Sequence, residues 1–186
     1  SDLRTKAECE HFGTCGGCKW QDVLYDAQTD LKEKKIKYAI QQVFDKCKIE
    51  PIIKCENQYF YRNKLEFSFT DNRWLTNEEI SNSGTDLERR GVGFHISGMW
   101  DKVVDINKCH LQPDPSNQIR LSIKDFAINN NISFHNSRSK KGLLRGIMIR
   151  NTSLDQFMVI VLFFENDINS IELILNHLKN NFKQLS

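Results

Sequence analysis

The residues richest in chemistry in this 186-residue chain are its six cysteines: Cys9, Cys15, Cys18, Cys47, Cys55 and Cys109. Three of them fall within ten residues as Cys9-x5-Cys15-x2-Cys18, with Gly13, Gly16 and Gly17 between or beside them. Thiolates that converge on one centre need a tightly folded backbone, and glycine permits the positive-φ turns that folding requires. Cys-x2-Cys is the short spacing by which two thiolates share one metal ion or one cluster. Three ligands call for a fourth. Cys109 is the best placed, because it follows the strand-like Val103-Val104-Asp105-Ile106. On spacing alone, zinc held by four cysteines and an iron–sulfur cluster serve equally. A redox dithiol at Cys15 and Cys18 would leave Cys9 and Cys109 without a use. Cys47 and Cys55, flanked by lysine and glutamate, read as ordinary free thiols.

A second feature is electrostatic. The net charge is +2, from 26 Lys+Arg against 24 Asp+Glu, and identifies no partner. Yet from Phe126 to Leu154 there is no Asp or Glu, while Arg138, Lys140, Lys141, Arg145 and Arg150 all fall there, with His135. Cations without a counter-charge form the local field that binds phosphate backbones. Arg62 and Lys64 can extend that surface. The competing reading is a solvated loop whose cations pair across the fold. Phe94 and Trp100 are candidates for stacking on bases, against the commoner role of aromatic side chains in a core.

These residues must be positioned by a folded scaffold. The chain is 39% hydrophobic with only 3 Pro and 9 Gly, which excludes disordered and collagen-like classes. No apolar run reaches the ~18 residues of a membrane span, and the longest, Phe157 to Phe164, fits a buried strand. The polar Ser1 to Glu10 is no secretory signal. A cytoplasmic protein without membrane contact is expected, where clustered cysteines serve metal or redox chemistry. Apolar spacing predicts a helix over about Asp22 to Phe44, packed through Leu24, Ala27, Leu31, Ile36, Ala39, Ile40 and Val43, with lysines on its polar side. Ile49 to Cys55 reads as a short strand and Tyr61 to Thr70 as a clear one. Asn77 to Arg90 reads as a surface loop. Gly91 to His95 and Lys102 to Ile106 read as strands about a turn at Ser97-Gly98. Asp114-Pro115 places an N-cap and first-turn proline before a helix to about Ile128. Leu143 to Arg150 and Gln156 to Phe164 form a hairpin. A last helix starts near Asn169, capped with Glu172 and buried through Ile171, Ile174, Leu175 and Leu178. The expected class is α+β with a mostly antiparallel sheet and flanking helices, preceded by a cysteine loop.

The string Cys9-Glu-His-Phe-Gly-Thr-Cys15-Gly-Gly-Cys18-Lys-Trp-Gln, followed by Tyr25-Asp-Ala-Gln-Thr-Asp-Leu-Lys, resembles the iron–sulfur segment of bacterial (uracil-5-)-methyltransferases acting on 23S ribosomal RNA. Tyr61-Arg-Asn-Lys-Leu-Glu-Phe, the stretch from Gly93 to Cys109, and Gly142-Leu-Leu-Arg145-Gly-Ile-Met-Ile-Arg150 follow in the family's order. The resemblance implies a [4Fe–4S] cluster on Cys9, Cys15, Cys18 and Cys109. It implies residues 1–20 as the cluster loop and 21–186 as a central RNA-binding domain of a monomer. Transfer-RNA members of the superfamily commonly lack these cysteines, which tilts the substrate towards ribosomal RNA. Such enzymes use S-adenosylmethionine, a nucleophilic cysteine that adds to uracil C6, and a base that removes the C5 proton. The family's catalytic Rossmann-like domain and N-terminal β-barrel have no counterpart here. Gly91-Val-Gly93 lacks the third glycine of a cofactor turn, and no cysteine matches the nucleophile. The expectation is therefore a fragment with no catalytic residue, inactive by itself. The alternative is a stand-alone zinc or iron–sulfur RNA-binding module.

Overall fold

The computed structural model describes residues 2–41, 48–82 and 87–185. Four helices and five strands follow in the order α1 (Tyr25–Gln41), β1 (Lys64–Thr70), α2 (Asn77–Asn82), β2 (Gly91–His95), β3 (Val103–Asp105), α3 (Ser116–Asn129), β4 (Leu144–Asn151), β5 (Phe157–Phe163) and α4 (Ile168–Asn181). The strands form one antiparallel sheet, β3-β2-β1-β4-β5. The class is α+β, as the pattern predicts.

Period-2 alternation decides which face is covered. Leu65, Phe67 and Phe69 of β1 lie opposite or beside Ile149, Ile147 and Val92 in the register, and all six are buried. Against this face pack Ile119, Ile123 and Ala127 of α3, spaced by four residues, and Ile174 and Leu178 of α4. The other face is open: Met158, Ile160 and Leu162 of β5 stand on it and remain exposed. No helix among the described residues is long and apolar enough to cross a membrane.

Several local expectations give way. Helix α1 buries Ala27 and Thr29, whereas Leu24, Leu31 and Ile36 are exposed; it lies beside the N-terminal segment rather than against the sheet core, and its lysines are solvated as expected. Val43 and Phe44 lie outside the described residues. Ile49 to Cys55 is no strand: its N–H groups turn to α1, Ile52 N–H to Glu33 Oε2 (3.1 Å) and Cys55 N–H to Tyr25 Oη (2.7 Å). Strand β1 starts only at Lys64, because Phe60 turns at φ 56° and Arg62 N–H goes to Leu111 O instead (2.8 Å). The expected loop after Asn77 opens as helix α2. Thr76 and Glu79 form a reciprocal capping box, Thr76 N–H to Glu79 Oε2 at 2.8 Å and Glu79 N–H to Thr76 Oγ1 at 3.2 Å.

The β5 run is buried on one face only, being an edge strand over an uncovered sheet surface. In α3, Pro115 occupies the cap position, and it is Asp114 Oδ1 that accepts from Asn117 N–H (3.2 Å). In α4 the cap is Asp167, whose carboxylate accepts from Ser170 N–H and Oγ–H (3.4 and 2.6 Å); Leu175 turns outward.

Candidate metal centre

The cysteine loop joins the sheet where β2 ends. Gly16 N–H donates to His95 O at 3.0 Å, and Cys15 bridges to Ile96. Only Gly13 of the three glycines uses a positive φ (92°). Gly16 and Gly17 serve close approach instead. A Cβ on Gly16 would sit 2.4 Å from His95 O, and one on Gly17 would press on the Phe94 ring (3.3 Å) and Cys15 Sγ (3.4 Å). Within the loop, Cys15 N–H and Thr14 N–H both go to His11 O (2.9 and 3.3 Å), Phe12 N–H goes to Cys9 O (3.1 Å), and Gly17 N–H points at Cys15 Sγ (3.4 Å).

Cys109 arrives from the far side. Asn117, in the first turn of α3, clamps its backbone. His11 ties the two segments together by accepting from Asn107 N–H at Nε2 (3.0 Å). That bond requires a neutral ring, in keeping with burial pushing the His11 pKa down, so the 3.2 Å approach of Glu10 Oε1 is no ion pair.

The result is one small pocket lined by all four thiols, Cys9, Cys15, Cys18 and Cys109, together with His11, Phe94 and Ile106. Burial pushes the Cys15 thiol up to about 11, with Cys18, Cys9 and Cys109 each adding to the rise. Burial also raises Cys9 and Cys109. Among the described residues no three Cys, His, Asp or Glu side chains stand in ligating arrangement around one point. The thiols share the pocket without closing on a centre.

The donor set nevertheless suits a thiophilic group, since four sulfurs with a largely apolar surround are what zinc and iron–sulfur clusters take. A second observation fits. The Arg120 guanidinium is fully buried beside Phe67, its Cζ 5.1 Å from the ring centre. It donates to the carbonyls of Ile106, Val92 (3.3 Å) and Asn107 (3.1 Å) and to Asn117 Oδ1 (3.2 Å), but to no carboxylate among the described residues. Burial brings its pKa down to about 10, against the attraction of Asp105, Cys109 and Asp114. A buried cation without a bonded counter-ion is costly, and thiolates beside Cys109 would offset that cost. Cys55 is exposed and outside the pocket, while Cys47 lies outside the described residues.

The candidate RNA-contacting cations do not form one patch. Lys64 and Arg150 face each other across β1 and β4, with Arg62 just before β1. Arg138, Lys140 and Lys141 sit before the opposite end of β4, and Arg145 lies within it. Arg145 and Arg150 are five residue steps apart along the strand, roughly 17 Å. The acid-free stretch in sequence is also not acid-free in space. Asp101 pairs with Arg138 (2.5 Å), Asp71 accepts from Asn136 (3.0 Å), and Glu165 accepts from Gly142 N–H (2.7 Å). Lys64 pairs with Glu66 (3.0 Å). Lys140 and Lys141 remain exposed, with no ion-pair partner among the described residues. Phe94 packs on Phe67 at 4.8 Å between ring centres and serves the core, whereas Trp100 is exposed. The positioning residues Asn117, His11 and Arg120 carry no signal in the sequence, because each acts through contacts between distant segments.

No family model matches the chain. Over its whole length it is 40% identical to a Porphyromonas gingivalis protein and 40% identical to a Bacteroides thetaiotaomicron protein, each named an uncharacterized RNA methyltransferase. A Chlorobaculum tepidum protein of the same designation is 32% identical over 84% of the chain. The chain spans 42% and 39% of the length of the first two, about two fifths of the curated relatives it matches. Among solved structures, the Pyrococcus abyssi tRNA (uracil-54, C5)-methyltransferase in complex with S-adenosyl-L-homocysteine matches with a TM-score of 0.66. That match covers 95% of this chain and 35% of the other at 24% identity, a likeness of fold. The four-thiol pocket thus sits in a chain that is, over its whole length, a relative of a segment of bacterial proteins named as RNA methyltransferases.

Proposed function

We propose that the chain is the metal-holding and RNA-contacting part of a methyltransferase that forms 5-methyluridine in 23S ribosomal RNA, with S-adenosylmethionine as methyl donor. The observation that carries this reading is the 40% identity along the whole chain to proteins named RNA methyltransferases. The four-thiol pocket supports a [4Fe–4S] cluster on Cys9, Cys15, Cys18 and Cys109, with zinc as its chemical competitor. Bound there, the group would supply a tetrathiolate cross-link between the loop of residues 2–20 and the body of residues 21–185, and Arg120 would balance its negative charge.

The chain's own residues supply grip rather than chemistry in this reading, through Arg62, Lys64, Arg138, Lys140, Lys141, Arg145 and Arg150. The Gly91-Val-Gly93 pair does not fit S-adenosylmethionine. Gly91 and Gly93 lie inside strand β2, and a Cβ on Gly93 would meet Val104 O at 2.1 Å, so the space such a glycine opens is filled by the neighbouring strand. Transfer of the methyl group belongs to parts of the whole protein beyond this chain.

The test is nucleoside analysis after incubating the full-length protein with S-adenosylmethionine and either 23S ribosomal RNA or transfer RNA. 5-Methyluridine in the ribosomal RNA is expected, and none with the 186-residue chain alone. Methylation confined to transfer RNA would reassign the substrate, and no methylation of either would overturn the reading.

A further inference from the structure

A second hollow adjoins the thiol pocket and shares Gly17, Cys18, Gln21 and Leu111 with it. This groove, of about 650 Å³, runs between α1, the segment after Cys18 and the segment before β1. It is lined by the cations Lys6, Lys19, Lys32 and Arg62 and by Trp20, Tyr25, Tyr59 and Tyr61, with no Asp or Glu among the described lining residues. Trp20 and Tyr61 are 39% and 54% exposed although aromatic. Each has a cation beside it, Lys32 Nζ 5.7 Å from the Trp20 ring centre and Arg62 Cζ 5.9 Å from that of Tyr61.

The walls are held in place by bonds that do not use the Trp20 and Tyr61 rings. Gln28 Nε2 donates to Trp20 O (2.9 Å) and Val23 O (2.8 Å), and Tyr25 Oη accepts from Cys55 N–H (2.7 Å). Asn57 and Gln58 also line the groove and bring side-chain amides, groups suited to the edges of a base.

We propose that this groove binds two or three unpaired nucleotides of the RNA, stacking bases on Trp20 and Tyr61 and holding their phosphates with Lys19, Lys32 and Arg62. Rings interleaved with cations along a channel are what a single strand requires, because stacking needs base faces that a duplex keeps hidden. The inference rests on the RNA-contacting role proposed above and assigns it a second place, on the far side of the chain's β1 start from the Lys140 loop.

The test is fluorescence anisotropy of the full chain with a labelled single-stranded oligouridylate and with a blunt RNA duplex of equal length. The single strand is expected to bind more tightly. Trp20→Ala or Tyr61→Ala is expected to weaken it by roughly 5- to 150-fold each, while Trp20→Phe stays within about threefold. Because a large ring can also support the fold, the exposed pair Lys19→Ala/Lys32→Ala provides a fold-neutral check, lowering the salt slope by about 0.7 per lost contact. Binding unchanged in both the ring and lysine variants, or equal affinity for duplex and single strand, overturns the groove. If Lys140→Ala/Lys141→Ala weakens RNA binding while the ring and lysine variants do not, the groove falls and the RNA-contacting role stands. If the wild-type chain binds no RNA, both fall.

Discussion

Asn117 holds both polar groups of the Cys109 backbone: its Oδ1 accepts from Cys109 N–H at 2.8 Å and its Nδ2 donates to Cys109 O at 3.1 Å. The fourth thiol is thereby fixed by the first turn of α3, not by its own strand. The same Oδ1 accepts from Arg120, so one amide orients both the thiol and the buried cation beneath it. Asn117→Ala leaves a buried N–H and a carbonyl without partners, which costs about 1–3 kcal/mol. Denaturant unfolding should show that loss, together with weaker metal retention. A variant as stable as the wild type would mean that the Cys109 loop is held by other contacts.

Metal content separates the two tetrathiolate readings. Protein prepared anaerobically should be brown, absorb broadly near ~400 nm and carry about four irons per chain. Cys109→Ser should lower both signals. Colourless protein with one zinc per chain would assign zinc. Removal of the metal should make residues 2–20 the first site of proteolysis, since the loop is then tied to the sheet and to the Cys109 segment by isolated hydrogen bonds such as Gly16 N–H to His95 O and Asn107 N–H to His11. Gly16→Ala should have a similar effect with metal present, because its Cβ would collide with His95 O.

Periodicity exposed the sheet and the two core helices because burial there follows one face of each element. Leu65, Phe67 and Phe69, or Ile119, Ile123 and Ala127, report their own environment. It misled on α1, where the apolar Leu31 and Ile36, with Leu24 just before the helix, face solvent. Helix α2 was legible in Thr76-x-x-Glu79 but lay hidden in a polar stretch. The cysteine spacing located three of the four pocket thiols locally. Cys109 is nominated by the strand-like run before it and by the family resemblance, whereas the contacts that deliver it, Asn117 to Cys109 and His11 to Asn107, join residues 8 and 96 apart in sequence. The basic stretch showed the opposite failure: its counter-charges, Asp101, Asp71 and Glu165, come from elsewhere in the chain.

Stability should fall with acid between neutral pH and pH 5. His135 packs tilted on Phe164, ring centres 4.3 Å apart, and His177 stacks on Phe126 at 4.2 Å, and burial lowers the pKa of both below the ordinary 6.5. For His135 the nearby Arg145 adds to the lowering. Groups with depressed folded pKa values bind more protons when unfolded. Their contribution is therefore intact above about pH 6.5 and declines as pH falls towards the folded values, by up to ~1.4 kcal/mol per pH unit for each histidine. His177→Phe should flatten the profile relative to the wild type while keeping the ring contact with Phe126. Parallel profiles for the two proteins would show that His177 titrates normally in the fold.

The Lys140 loop should carry a measurable share of RNA affinity. Arg138 is already paired with Asp101, so Lys140 and Lys141 are the cations of that loop left for phosphates. Each phosphate contact to a single strand contributes about 0.7 to the slope of log affinity against log salt. Lys140→Ala/Lys141→Ala should therefore make the slope for an RNA hairpin shallower by about 0.7 to 1.4. The substitution is benign for the fold: both residues are exposed, and Lys140 already sits at φ 54°, so alanine there adds no strain that lysine does not bear. Asp101→Asn gives the complementary reading. Freed from its partner, Arg138 becomes available for a phosphate, and the slope should steepen by up to about 0.7. Equal slopes for the wild type and the double lysine variant would show that this loop is merely solvated, and that RNA contacts lie with Lys64 and Arg150 or in the aromatic groove.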